Sequence, residues 1–176
     1  MKRIKITDDS TKMDRLTEEL KKLKGTTMIV GVIGKEGQED FSLVDLATVH
    51  EFGVKIKVTR KMRNWFLAMG YPLRSDTTQI EIPERSFIRT TADEQEDEIQ
   101  KQGGRLLRKV ALGKMDAKTA MDKLGNLVVS MIQNKIKEIE KPPKTQMTID
   151  LSETGGTSPL QDTGRLWQSI DYEVRW

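Results

Sequence analysis

Residues 116–139, DAKTAMDKLGNLVVSMIQNKIKEI, decide the fold. Ala117, Ala120, Met121, Leu124, Leu127, Val128, Met131, Ile132, Ile136 and Ile139 recur at spacings of three and four, which draws an unbroken apolar stripe along one side of a long helix. Asp116 is placed to cap its start, and Lys141-Pro142-Pro143 ends it, because proline has no N–H to continue the ladder. A second long helical pattern runs from about Glu84 to Leu112, with Ile88, Ala92, Ile99, Leu106 and Val110 on one stripe. Gly103-Gly104 interrupts it, each glycine costing about 1 kcal/mol against alanine. That pair predicts a kink, a close backbone approach or a break.

Working outward towards the N-terminus, Met1 to Thr7 alternates Ile4 and Ile6 with charged residues and reads as a strand. Asp8, Asp9 or Ser10 then caps a helix through about Lys24, which Gly25 stops. Thr26 to Ile33 is β-branched and bounded by glycine, as a buried strand is, and Gly34 to Gln38 is a turn. Ser42 caps a short helix, Leu43 to Phe52, on which Leu43, Leu46, Ala47 and His50 share a side and Gly53 supplies the C-terminal turn. Val54 to Thr59 and Thr77 to Ile82 alternate as strands around a short helix, Arg60 to Gly70, and a loop, Tyr71 to Asp76. Past the long helices, Lys144 to Gln161 is rich in Thr, Ser, Gly and Pro, a loop either mobile or ordered by a partner. Asp162 to Leu166 makes a helical turn, and Ser169 to Trp176 is a last strand. The expected architecture is therefore α+β: one antiparallel sheet of about four to five strands on two long helices, with short extra helices, in one domain over residues 1–176.

Composition narrows the function. With 176 residues, 36% of them hydrophobic but only 5% aromatic, the chain can fill a core, and that core must be aliphatic and rich in Met. The absence of Cys removes a disulfide framework, a thiolate zinc site and a cysteine nucleophile together. No apolar run approaches the roughly 20 residues that a membrane span needs, and the N-terminus lacks the pattern of a secretory signal. A formal net charge of +3 leaves a nearly balanced surface, less basic than a dedicated nucleic-acid binder carries.

The catalytic and metal motifs fail one by one. His50-Glu51 begins like a zinc helix, yet the second histidine position is Val54 and the chain holds no other His. Gly31-Val32-Ile33-Gly34-Lys35-Glu36 resembles a phosphate loop but has Glu36 where Ser or Thr is needed and Ile29 at the first glycine position. The run Asp93, Glu94, Glu96, Asp97, Glu98 is a solvated helix face rather than an acid/base pair. No catalytic residue, metal ligand or cofactor site is expected. One charged cluster stands out: Lys55, Lys57, Arg60, Lys61 and Arg63 place five cations in nine residues. Either it is a solvated strand edge and helix start, or it is a basic surface facing nucleic acid, where neutralised phosphates release counterions.

Four separated segments, Val30-Gly31-Val32, Ala47-Thr48-Val49-His50-Glu51-Phe52-Gly53, Ile82-Pro83-Glu84-Arg85-Ser86-Phe87-Ile88-Arg89 and Pro159-Leu160-Gln161-Asp162-Thr163-Gly164-Arg165-Leu166-Trp167-Gln168-Ser169-Ile170, resemble in order and spacing the phage tail-completion or neck protein family. The resemblance implies a structural virion protein without catalytic residues, built as a homo-oligomeric ring, expected as a hexamer. It would sit at the head–tail junction of a tailed phage or phage-derived contractile particle and be assembled in the host cytoplasm. Its implied partners are further copies of itself, the tail tube or tail terminator, the head–tail connector or stopper, and DNA passing through the lumen without sequence specificity. Lys55, Lys57, Arg60, Lys61 and Arg63 would then face the lumen. His50, Glu51, Phe52, Gly53, Pro83, Arg85, Phe87, Asp162, Thr163, Gly164, Leu166 and Ile170 would hold the fold or touch a neighbouring subunit. Compared with the family, residues 60–76 look like an insertion. Two readings stand without the family: Pro83 fixes φ for a helix start, and Asp162 caps the turn that Leu166 and Ile170 pin to the core. The alternative function is a small basic nucleic-acid-binding module, and a hydrolase using His50 as base is a distant third.

Overall fold

A computed structural model describes residues 10–33 and 42–176. The strand expected over Met1 to Thr7 and the turn over Gly34 to Gln38 lie outside them. In chain order the elements are α1 (Ser10–Leu23), β1 (Thr27–Val32), α2 (Leu43–Phe52), β2 (Val54–Lys57), α3 (Arg60–Ala68), β3 (Gln79–Ile82), α4 (Ile88–Ala111), α5 (Ala117–Glu138), α6 (Gln146–Asp150), α7 (Arg165–Gln168) and β4 (Ile170–Arg175). The class is α+β, but the single sheet becomes two. Among the described residues β1 pairs with β4 and β2 pairs with β3, both antiparallel, and the pairs do not join.

The core forms where α5 crosses the β1–β4 sheet. Val30 and Val32 from β1 and Ile170 from β4 meet Ile132 and Ile136, and Phe87, Ala47, Leu160 and Leu166 close the cluster. Phe87 and Ile136 are fully buried, each contributing about 1.5–3 kcal/mol through apolar surface removed from water. The sheet comes so near α5 that a β-carbon on Gly125 would stand 2.4 Å from the Tyr172 ring. Glycine there is required by space, although φ is ordinary. The Tyr172 hydroxyl donates to Asp122 Oδ1 at 3.1 Å, which fastens β4 to the same helix.

The helix ends follow their caps. Ser42 and Asp45 form a capping box at α2, and Asp116 accepts from Thr119 N at 2.7 Å to start α5. Glu19 of α1 reaches the same end of α5, accepting from Ala117 N at 2.7 Å. The α4 helix runs without a break through Gly103-Gly104; a β-carbon on Gly103 would lie 3.8 Å from Leu124, and one on Gly104 would meet nothing. That helix starts at Ile88, not beside Pro83 as the sequence suggests. Pro83 to Ser86 is a non-helical strap, and its geometry belongs to the site below.

Candidate functional site

The strap between β3 and α4 lies across the end of α2, and the two are joined by a buried carboxylate. Glu51, the second-last residue of α2, is only 4% exposed. It accepts from the Ser86 hydroxyl at 2.6 Å, from the backbone N–H groups of Phe87, Ile88 and Arg89 at 2.9, 3.0 and 2.9 Å, and from Arg89 Nε at 3.2 Å. The first amides of a helix have no partner within it, and α4 makes no side-chain cap of its own. Glu51 supplies that cap from 36 positions away, with its negative charge at the positive end of the helix dipole. Burial pushes its pKa up, but the bonds from Ser86, Ile88, Arg89 and Phe87 outweigh burial and hold the carboxyl below the usual carboxylate range.

Gly53 makes this approach possible. Its φ of 66° and ψ of 167° lie in a region that essentially only glycine occupies. A β-carbon there would stand 2.9 Å from Glu84 N and 3.0 Å from Ile82 O, so the chain leaving α2 and the strap touch backbone to backbone. Arg85 N donates to the His50 carbonyl at 2.7 Å. The buried Arg85 guanidinium turns the other way, donating to the carbonyls of Pro142 at 2.8 Å and Pro143 at 3.1 Å. It thereby ties the segment after α5 to the segment before α4.

His50 lies on the packed side of α2. Its Nδ1 is buried without a hydrogen-bond partner among the described residues. Burial, with the positive charges of Arg85 and Lys144 behind it, pushes its pKa down to about 4. Phe52 is 60% exposed, with the Arg89 guanidinium 4.8 Å above its ring.

The five predicted cations do not share one surface. Arg63 turns inward and donates to the carbonyls of Arg74, Ser75 and Thr77, so it closes the loop after α3 instead of facing a lumen. Lys55 lies 3.9 Å from Glu81 across the β2–β3 ladder. Lys57, Arg60 and Lys61 have neither an ion pair nor such a bond to the main chain among the described residues. Residues 60–76, read as an insertion, lie in a helical excursion between two paired strands, with Phe66 buried inside it and Trp65, Leu67 and Met69 exposed. The arm β2–α3–β3 packs along neither α4 nor α5. A bond from the Tyr71 hydroxyl to Asp150 links it to α6.

The last motif divides in two. Leu166 and Ile170 are 5% and 3% exposed and belong to the core, as expected. Asp162 does not cap α7: Gly164, at φ 80°, holds the N-cap position, with Thr163 just before it. Asp162 instead accepts from Thr154 Oγ1 at 2.6 Å, closing the loop on itself. That loop, 141–161, contains α6 and buries Leu160. It is also held by Lys144 Nζ to Gly156 O at 3.0 Å and by Gln161 to Lys137 O at 3.2 Å. These bonds tie the loop to itself and to the last turn of α5.

The arrangement binds chain to chain. A groove of about 500 Å³ opens beside the node, but its Glu94 and Glu138 are paired with Lys135, and no group of three potential metal ligands occurs among the described residues. No helix there is long and apolar enough to cross a membrane. Sequence reading missed Gly125, the inward turn of Arg63, and the capping of α4 by Glu51. A glycine inside a strong apolar stripe was the one available signal for the first. Comparison with family models, curated proteins and solved structures finds no match to this chain.

Proposed function

We propose that this chain is a structural virion protein forming a ring at the head–tail junction of a tailed phage or phage-derived contractile particle, completing the tail and joining it to the connector. The observation that carries this reading is the convergence of the four segments on which the family resemblance rests. Val30 and Val32, Ala47, Phe87 and Ile88, and Leu160, Leu166 and Ile170 all lie in or against one core cluster. Residues that build one shared core are expected of a protein that acts by shape. Glu51 and Arg85, the buried charged residues of these motifs, make most of their bonds with backbone groups and so join separate segments of the fold. An arm with exposed Trp65, Leu67 and Met69 suits assembly, since apolar surface of this kind is normally covered by a partner.

Purified protein mixed with isolated tail tubes tests the reading. It is expected to co-sediment with the tubes and to appear at one end of them in negative-stain images. Tubes that stay bare, or particles that assemble normally with the gene deleted, would overturn it.

A further inference from the structure

The two small sheets have complementary open edges. Among the described residues, β2 and β4 each pair on one side only, and exposed strand edges of this kind invite pairing with another chain. Val58 N donates to Thr78 O at 2.9 Å. Because amides alternate between the two edges of a strand, those of Lys55 and Lys57 point away from β3. On β4, Tyr172 N donates to the carboxylate of its own neighbour Asp171 at 2.8 Å, a side chain standing where a strand carbonyl would be.

The two edges also match in pattern. The sequence of β2 into the next residue is Val54-Lys55-Ile56-Lys57-Val58, and that of β4 is Ile170-Asp171-Tyr172-Glu173-Val174. On β4 the apolar residues face α5, and Asp171 and Glu173 face away. On the apolar side of the arm, Val54 and Ile56 with Ile80 and Ile82 across the ladder, no helix packs extensively among the described residues, and Ile56 is 37% exposed. A hairpin with four residues in each strand is marginal in water unless further strands or a helix join it.

We infer that β2 of one copy adds to the open edge of β4 of a second copy, parallel to it, completing a four-stranded sheet in the order β1, β4, β2, β3 across the interface. The direction follows from the amides. With both apolar faces on one side, Tyr172 points towards the incoming strand and Ile56 points away from it to β3, which is the relation of facing residues in a parallel pair. Tyr172 then bonds between Lys55 and Lys57, the apolar residues fall beside one another, and Lys55 and Lys57 stand beside Asp171 and Glu173, an attractive cross-strand arrangement. The other edge of the hairpin carries Glu81 and would repel the same strand. Donor and acceptor surfaces differ, so the contact is heterologous and propagates to a ring or a filament. The inference deepens the ring reading and rests on its premise that copies of this chain associate.

The chain has no Cys, so engineered pairs report the contact directly. Mixing the single variants Lys55→Cys and Asp171→Cys under mild oxidation is expected to give a disulfide-linked dimer, and Lys55→Cys with Glu173→Cys much less. Charge reversal in K55E/K57E should weaken self-association on the order of tenfold in sedimentation velocity, and adding D171K/E173K to the same chain should restore it. Circular dichroism of each variant separates loss of contact from loss of fold. A wild type that stays monomeric at every concentration, equal association of K55E/K57E, or no recovery in a folded fourfold variant would overturn the inference. Capture of a cysteine at position 171 by one at Lys5 within a single chain would also overturn it, by assigning that edge to the N-terminal segment. Oligomers that form without the 55–171 link leave the ring standing and this contact refuted. A 55–171 link in a protein that ignores tail tubes refutes the junction role and leaves the contact.

Discussion

Replacing Glu51 by alanine removes the acceptor for three backbone amides, a serine hydroxyl and the Arg89 guanidinium at once. Phe87 is fully buried, so its amide is left without water or partner, at about 1–3 kcal/mol. The amides of Ile88 and Arg89 are only partly buried and can be rehydrated, adding roughly 1–2 kcal/mol together. Loss of a negative charge from the positive end of α4 adds about 0.5–1 kcal/mol, and relief of the carboxylate's own burial subtracts a part. The net expectation is a loss of about 3–5 kcal/mol, in line with other broken buried charge sites. That is a large share of the roughly 5–15 kcal/mol that holds a typical domain together. Urea unfolding followed by helix ellipticity measures it, and the midpoint should fall by about 2 M at an m-value near 2 kcal/mol/M. Glu51→Gln keeps one acceptor oxygen and should fall between wild type and Glu51→Ala. A loss below about 1 kcal/mol for Glu51→Ala would refute the role of this carboxylate as the cap of α4.

Three further outcomes follow from the structure. His50 titrates near 4 in the folded chain against an ordinary 6.5, so between those pH values the unfolded chain binds a proton that the native one refuses. Stability should be full above pH 6.5 and fall by up to about 3 kcal/mol on acidification to pH 4; Glu51, with a lowered pKa of its own, adds to the loss below about 4.5. Denaturation midpoints across this range should show the slope in wild type and a flatter one in His50→Gln; equal slopes would refute the assignment. Gly125→Ala should lower the thermal midpoint by the equivalent of about 1–3 kcal/mol through collision with Tyr172. Gly104→Ala, on an open helix face, should raise it by about 0.5–1 kcal/mol, and a reversed order would contradict their placement.

Features set by short-range periodicity were legible in the sequence. The stripe of α5, its Asp116 cap, the Ser42 cap of α2 and the alternation of β4 all follow from spacings of two, three or four. Features that join distant positions were not. Nothing local in His50-Glu51-Phe52-Gly53 reveals that its carboxylate serves amides 36 to 38 positions later, so the start of α4 was placed early, beside Pro83. Arg63 reads as one of five surface cations because its targets are main-chain carbonyls, which leave no mark in a sequence. Alternation identified β2 and β3 as strands but held no information about which sheet they join, and one sheet was expected where two occur among the described residues.

Gly53 and the strap have a mechanical consequence. The arm leaves the body two residues after Glu51 and returns three residues before Arg85, so both roots of the arm are clamped by buried ionic groups, and their backbones touch. Such a stem has no slack at which to swivel. A load on the tip would be delivered undiminished to the start of one long helix and the segment just past the end of the other, making the arm a stiff lever rather than a tether.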